Sequence, residues 1–549
     1  MELHAKQVNP WVVTMSVMLA TFMEILDTTV VNVSIPHIAG NLSATIDEGT
    51  WVVTSYLVSN AVILPMSGWL ANRFGRRRMM LACVAGFTVT SVCCALATSL
   101  PALIFFRVLQ GATGGGMQPL AQAVMLESFP KEKHGVAMAA YGVGIILAPI
   151  LGPALGGYIT DNYSWRWIFY LNVPVGILSL VLMKAFVFDP PYIRRPKGGV
   201  DMWGMGFLAL GFGTLQVVLD TGQRHDWFES DYIRFFSTVC VAGLILFVAR
   251  ELTTPHPIVD LRALADRTFG AGVFLITLIG FILYASLVLL PIYLQTLLSY
   301  PAYDAGLALS PRGVGSLLFM PIVGVLTNKI DPRKILLFGF AVGAITMFQL
   351  SHLSLNAGYW DIFWPQVFQG MALACMMIPL MAVSVAHIPK EKMGNATSIF
   401  NLMRNIGGSF GISLMTTFLA RRNQFHHNRL VENITAGDTG TMQMLNGMKA
   451  WFESQGADAM TASRQALAGI YGMIQRHAAM LSFVEAFWLL GVMFIGMAPF
   501  LFVLRRPGRH EEPAPKPERP RPKAMAAGAA GTAQGVPAAR SRAAAAGSG

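Results

Sequence analysis

Long apolar runs separated by short polar connections fill the chain from about residue 12 to residue 505. A helix that crosses a bilayer needs about 20 mostly apolar residues. Windows of that kind recur at 12–36, 50–71, 79–98, 101–126, 135–158, 166–187, 201–220, 232–250, 269–295, 305–328, 334–353, 359–386, 394–420 and 481–504. These fourteen spans predict an all-α polytopic membrane protein. The first window is too long, and too closely followed by the second, to be a cleaved signal.

Composition agrees with the pattern. Of 549 residues 54% are hydrophobic and 13% charged, with a mean hydropathy of +0.53. The net charge of +11 does not describe a nucleic-acid face, because the basic residues sit in alternate connections. Arg73, Arg76, Arg77 and Arg78 follow span 2, Lys131 and Lys133 follow span 4, and Arg194, Arg195 and Lys197 follow span 6. Arg262 and Arg267 follow span 8, Lys329, Arg333 and Lys334 follow span 10, and Lys390 and Lys392 follow span 12. Such alternation marks cytoplasmic loops and predicts that both termini face the cytoplasm. The five cysteines fall within spans, show neither metal-ligand spacing nor a paired framework, and read as core packing.

The chain also repeats itself at an offset of about 259 residues. "RVLQGATGGGMQPLAQAVMLESFPKEKHGVAMAA" (Arg107 to Ala140) lines up with "QVFQGMALACMMIPLMAVSVAHIPKEKMGNATSI" (Gln366 to Ile399), and "PMSGWLANRFGRRRM" with "PIVGVLTNKIDPRKI". Because an even number of spans precedes each copy, both enter the membrane in one orientation, as in parallel-duplicated secondary transporters. The prediction is two six-helix bundles, residues 1–187 and 269–506, bridged by two spans within 188–268, with substrate between the bundles near the midplane. Residues 421–480 predict an extracytoplasmic helical hairpin. Residues 507–549, rich in Pro, Ala, Gly and Arg, predict a disordered cytoplasmic end.

Within this frame, polar residues inside apolar spans are the functional candidates. Glu24 and Asp27 are three apart and share a helix face, with Thr28, Thr29 and Asn32 around the next turn. Both carboxyls are either protonated packing elements, uncoupled linings of a wet cavity, or coupling groups. In the last case the proton affinity of Asp27 is set by competition among desolvation, a cation such as Arg107 and the like charge of Glu24. A dependence of that affinity on which side is open couples a proton gradient to transport. Arg107 either snorkels to the interface or faces the bundle interior, and Gln110 supports a polar inner face. Deeper ionisable residues, Arg404 and Glu485, are further pathway candidates, whereas Asp201, Asp220 and Arg312 lie at span ends and read as interfacial.

Two other stretches suggest moving parts. In "GWLANRFGRRRMM", Gly68 permits close helix contact, Gly75 a tight turn, and the cations suit a helix end or anionic headgroups. In "GVGIILAPILGPALGGYI", Gly144, Ala148, Gly152 and Gly156 form a small-residue stripe, and Pro149 with Pro153 softens the same helix. The glycines after Gln110 are no nucleotide loop, since they lack the Gly-Lys-Ser/Thr ending. The sequence displays no metal cluster, nucleophile with a base, or soluble catalytic domain, so an enzyme or receptor lacks support.

"ILDTTVVNVSIP", "GWLANRFGRRR", "RVLQGATGGG" and "APILGPALGG" stand in the order and spacing of four motifs of one family. Over residues 10 to 505 the chain resembles the fourteen-helix drug/proton antiporter branch of the major facilitator superfamily. The resemblance implies the major facilitator fold and proton-driven efflux of hydrophobic or amphipathic toxic compounds across the inner membrane, with the proton gradient in place of a cofactor. The implied partners are lipophilic small molecules, protons and membrane lipids, and no nucleic acid. Export of one specific metabolite, lipid or siderophore is the alternative. Asp27 stands in the position of the family's acidic residue in its first helix and Arg107 in that of the proton-transfer arginine. Gly68, Asn72, Arg73, Gly75 and Arg76 match the conformational-switch loop, and Gly144, Ala148, Gly152, Pro153, Gly156 and Gly157 the antiporter motif. Asn72 replaces the usual Asp of that loop, which reduces a charged latch to hydrogen bonds. Ala148 replaces a usual Gly, and Glu24 stands where relatives often carry a neutral residue. The connection at 421–480 resembles that of exporters paired with a periplasmic membrane fusion protein and an outer-membrane channel.

Overall fold

The computed structural model describes residues 9–504 apart from 190–200, 256, 433 and 435–437, and leaves aside the side chains of residues 46, 47, 131, 150, 153, 154, 302 and 303. The basic residues Arg194, Arg195 and Lys197, the side chains of Lys131 and Pro153, and the 507–549 tail therefore lie outside the described residues.

Among the described residues the chain is helical throughout. The N-terminal half consists of α1 (Pro10–Asn41), α2 (Ile46–Phe74), α3 (Arg76–Leu96), α4 (Leu100–Gly114), α5 (Met117–Ser128), α6 (His134–Asn162), α7 (Trp167–Tyr170) and α8 (Asn172–Phe186). Two linking helices follow, α9 (Met202–Thr221) and α10 (Asp231–Thr253). The C-terminal half consists of α11 (Arg267–Thr296), α12 (Ala302–Leu307), α13 (Ser310–Lys329), α14 (Pro332–Leu350), α15 (Tyr359–Ser384), α16 (Met393–Glu432), α17 (Thr439–Ser454) and α18 (Ala459–Met497). The duplication is visible in the connections: one 3-10 turn at Lys131–Lys133 precedes α6 and its counterpart at Lys390–Lys392 precedes α16.

Local chemistry sets the helix ends. Asn9 accepts from the Trp11 N–H and Pro10 occupies the first helical position of α1. Thr45 and Glu48 form a capping box at α2. Asp266 accepts from Thr268 and Phe269 at α11, and Asp331 precedes Pro332 at α14. Gly75, at φ +94°, makes the turn between α2 and α3 that a side chain would disfavour.

Eleven helices among the described residues are long and apolar enough to cross a membrane, and His134–Pro149 of α6 is a shorter apolar stretch. Two predicted windows differ in form. Span 4 is broken at Gly115–Gly116 into α4 and α5, at a point where a Cβ on Gly115 would lie 2.7 Å from the Asn60 carbonyl oxygen of α2. Span 13 is part of the 40-residue α16, whose first turns are polar. That helix continues past residue 420, and α18 begins at Ala459, so the expected hairpin is built from extensions of two long helices with α17 packed on α18.

The halves come closest at the end that carries the basic connections. A Cβ on Gly68 of α2 would meet the Gly394 carbonyl of α16 at 2.6 Å, and one on Gly135 of α6 would meet the Gly324 carbonyl of α13 at 2.7 Å. Beside the first contact the Ser67 and Ser398 hydroxyls are 2.8 Å apart, and the Gly68 N–H donates to Ser398 Oγ. The α17–α18 hairpin lies at the opposite end.

Candidate functional site

The polar centre of the N-terminal half is assembled from α1, α2, α3, α4 and α8 around Asp27. Arg107 Nη1 donates to Asp27 Oδ2 at 2.6 Å, and both side chains are wholly buried. Asp27 Oδ1 accepts from Gln110 Nε2 at 3.2 Å and from Asn172 Nδ2 at 2.7 Å. Arg107 also donates to Gln110 Oε1 and, through Nε, to the Val52 carbonyl, and its guanidinium lies 4.3 Å from the centre of the Tyr56 ring. Asn172 is fixed in turn by Ser91 Oγ at 3.0 Å. A buried ion pair survives desolvation only when most of its remaining valences are met; here amides, the Val52 carbonyl and the Tyr56 face surround the pair, and Arg107 Nη2 alone of the guanidinium nitrogens has no hydrogen-bond partner. Of the readings open for Arg107, the structure shows the inward, paired one.

Glu24 sits one turn earlier on the same face of α1, 3% exposed. Its Oε1 accepts from Asn60 Nδ2 at 3.0 Å, while Oε2 has no hydrogen-bond partner. Gln118 of α5 lies against this carboxylate, and Arg404 of the opposite half acts on it electrostatically. Arg404 Nη2 donates to Gln118 Oε1 at 2.7 Å.

The small-residue stripe lies against the helix that carries Asp27. Cβ atoms on Gly144 and Gly156 of α6 would touch Met18 and the Val30 carbonyl, and one on Gly152 would collide with Thr29. Ala148 is fully buried, whereas Gly157 faces open space on the other side. At the basic end, Arg76 forms a buried ion pair with Glu127 of α5. Gly75 abuts Asp189, which accepts from the Arg77 N–H at 2.8 Å. Asn72 and Arg73 are half-buried on the last turn of α2.

Other expected pathway residues fall elsewhere. Asn32 is exposed, beyond the buried cluster. Glu485 lies on α18 in a fork with Arg422 of α16, with His426 Nε2 at 3.1 Å, about a third exposed. Asp201 pairs with Arg250, and Asp220 accepts from Thr54.

Arg312 is a correction: it is not interfacial but buried in the C-terminal half, 5% exposed. Its Nε donates to Gln366 Oε1 at 3.0 Å, Nη1 to Ser286 Oγ at 3.3 Å, and Nη2 to Gln369 Oε1. Gly370 and Gly315 let α13 and α15 approach backbone to backbone and so carry Arg312 inward. The repeat offset places Ser286, Gln366 and Gln369 opposite Asp27, Arg107 and Gln110.

Sequence reasoning missed Asn172, Asn60, Tyr56, Gln118 and Glu127. Tyr56 and Asn60, four apart on α2, carried a periodic polar signal, and Gln369 was visible as the repeat partner of Gln110. Asn172 and Glu127 carried no signal, since only tertiary packing sets them beside their partners.

A bundle of apolar helices with buried charges at its centre and a duplicated, two-halved plan defines a membrane transporter, not an enzyme. The Major Facilitator Superfamily signature matches residues 17–412, and the chain belongs to that superfamily. It is 35% identical over 497 residues to the multidrug export protein EmrB of Escherichia coli K12, covering 90% of this chain and 95% of that protein. It is 42% identical over 425 residues to the probable multidrug resistance protein EmrY of the same organism, covering 77% of this chain and 83% of that one. Among solved structures, a double-tryptophan mutant of XylE shares the fold with a TM-score of 0.58 at 15% identity, over 90% of this chain and 96% of that chain.

Proposed function

We propose that the chain is a proton-coupled exporter of hydrophobic or amphipathic toxic compounds, with fourteen spans in the inner membrane and both termini in the cytoplasm. The carrying observation is the wholly buried Asp27, held by Arg107, Gln110 and Asn172 on the helix against which the α6 stripe packs. Ionised, Asp27 is stabilised by three donors. Protonated, it loses most of its attraction for Arg107, whose charge must then find other partners. Whatever favours one protonation state therefore favours one arrangement of α1, α4 and α8, and outward movement of substrate can be exchanged for inward movement of protons. The names of EmrB and EmrY support multidrug substrates. The exposed hairpin, with Trp451, Leu467 and Tyr471 on its surface, supports a periplasmic fusion protein as partner, delivering substrate to an outer-membrane channel.

Proteoliposomes with an imposed pH gradient and a panel of lipophilic cations, anions and weak acids test this reading. Wild-type protein accumulates at least one compound against its gradient, and Asp27→Asn loses gradient-driven accumulation by about 100-fold or more while it still inserts. Undiminished pumping by Asp27→Asn removes Asp27 from the mechanism.

A further inference from the structure

The first linking helix, α9, packs on α2 of one half and on α16 of the other. Gln216 and Asp220, four apart, share one face of α9. Gln216 Oε1 accepts from Ser409 Oγ of α16 at 3.0 Å, and Asp220 accepts from Thr54 Oγ1 of α2. Further out, Arg224 Nη1 donates to Thr50 Oγ1 of α2 at 2.7 Å, and a Cβ on Gly213 would rest against Val58 and Val62 of the same helix. At the basic end α2 and α16 meet directly, Gly68 on Gly394. Thr54 and Ser409 each lie about four turns outward of that contact, and there both turn to α9. The two helices therefore make a V with its apex at the basic end and α9 seated in the groove between its arms.

The loop at the outer end of α9 adds a clasp. Trp227 Nε1 donates to Thr417 Oγ1 of α16 at 2.9 Å and to Gln223 Oε1 at 3.2 Å. The Thr417 hydroxyl gives its own proton to the Ser413 carbonyl, which leaves a lone pair for the indole. Gly222 makes the seat, since a Cβ there would lie 2.8 Å from the Trp227 ring. To reach Thr417 the chain holds two successive non-glycine residues in the left-handed region, Asp226 at φ +51° and Trp227 at φ +55°. Such conformations are costly and persist where surrounding contacts fix them.

We propose that α9 and the Trp227 clasp form a strap that holds the outer ends of α2 and α16 apart while the basic end is shut, and that the indole leaves Thr417 when the basic end opens. Opening that end rocks the outer arms toward each other, into the groove that α9 fills. A contact made only in the shut arrangement favours it, and strain borne only there opposes it. Weakening the clasp therefore raises the open fraction, and relieving the strain of the loop lowers it. The strap goes beyond the proton-coupled reading and does not depend on it.

The test is the rate at which a small thiosulfonate reagent modifies Ser398→Cys, a fully buried position of the shut basic end, in full-length protein in nanodiscs whose five native cysteines are replaced. At low reagent concentration, where closing outpaces modification, the rate follows the open fraction even when that fraction is small. At fixed pH and without a gradient, Thr417→Val and Trp227→Phe each quicken modification about three- to fivefold, the worth of one neutral hydrogen bond. Their combination adds little, because both remove the same bond. Asp226→Gly, which takes up a positive φ freely, slows modification about two- to threefold. Trp203→Phe, an exposed tryptophan at the other end of α9, leaves the rate unchanged. Parent rates in Thr417→Val and Trp227→Phe overturn the strap, as does faster modification in Asp226→Gly or an equal quickening by Trp203→Phe. Each of those results leaves the role of Asp27 standing, because that role is read by gradient-driven transport.

Discussion

The Asp27 cluster of the N-terminal half and the Arg312 cluster of the C-terminal half occupy matching places in a duplicated fold, yet only the first contains an acid. Each surrounds an arginine with amide side chains, and Gln110 and Gln369 are repeat partners. In the N-terminal half the cation sits on α4 and meets a carboxylate, with Tyr56 of α2 stacked over it. In the C-terminal half the cation sits on α13, and its partners are two glutamines and a serine. The polar scaffold is present in both copies, while the carboxylate is present in one. The difference teaches that a buried arginine need not sit beside an acid: Arg312 is met by two amides and a hydroxyl, whereas Arg107 is paired with a carboxylate.

This asymmetry can be broken by removing each cation. Arg107→Met leaves Asp27 buried and unpaired, which costs about 3–5 kcal/mol if the carboxyl stays ionised. The expected result is a large fall in melting temperature in detergent at neutral pH, partly recovered by adding Asp27→Asn. Arg312→Gln exchanges a buried cation among neutral acceptors for an amide, and the expected loss is about 1 kcal/mol. A larger loss at Arg312 than at Arg107 would mean that the carboxylate does not set the energetics of the pair.

The smallest expected effect concerns the hairpin, where two exposed carboxylates, Asp438 and Asp458, act as helix caps. Asp438 accepts from the Thr441 hydroxyl and N–H at 2.7 and 2.8 Å, and Asp458 from the Met460 and Thr461 N–H groups at 3.1 and 3.2 Å. Hydrogen bonds from Thr441 hold the Asp438 carboxyl below the usual aspartate range, and those from Thr461 do the same for Asp458. Groups lowered in this way lend stability above the unfolded value, which is lost as pH falls through the folded one. Amide protection over the first turn of α17, taken relative to the intrinsic exchange rate at each pH, is therefore expected to fall at acidic pH, and Asp438→Asn, which keeps a cap without a charge, to flatten that dependence.

Much of this was legible in the sequence because it is written in local patterns. Asp27, Arg107 and Gln110 stand out as polar residues in apolar windows, and the 144–156 stripe announces a close helix contact, found here between α6 and α1. What stayed hidden depends on distance in the chain. Asn172 reaches Asp27 across 145 positions, and Gln118 reaches Arg404 across 286. Arg312 was misplaced because a position near a span end favours the interface only when the neighbouring helix leaves room for snorkelling, and the glycines of α13 and α15 remove that room. The break at Gly115–Gly116 was concealed because a glycine run inside an apolar window fits a continuous helix as readily as a turn.

The central claim is that Asp27 exchanges its proton as the transport cycle turns. Its most direct test is proton release by purified protein in weakly buffered detergent, followed with a pH-indicating dye as a substrate from the transport panel is added. The account predicts release by wild-type protein in proportion to substrate bound, and none by Asp27→Asn that still binds. Equal release by the two proteins would contradict it.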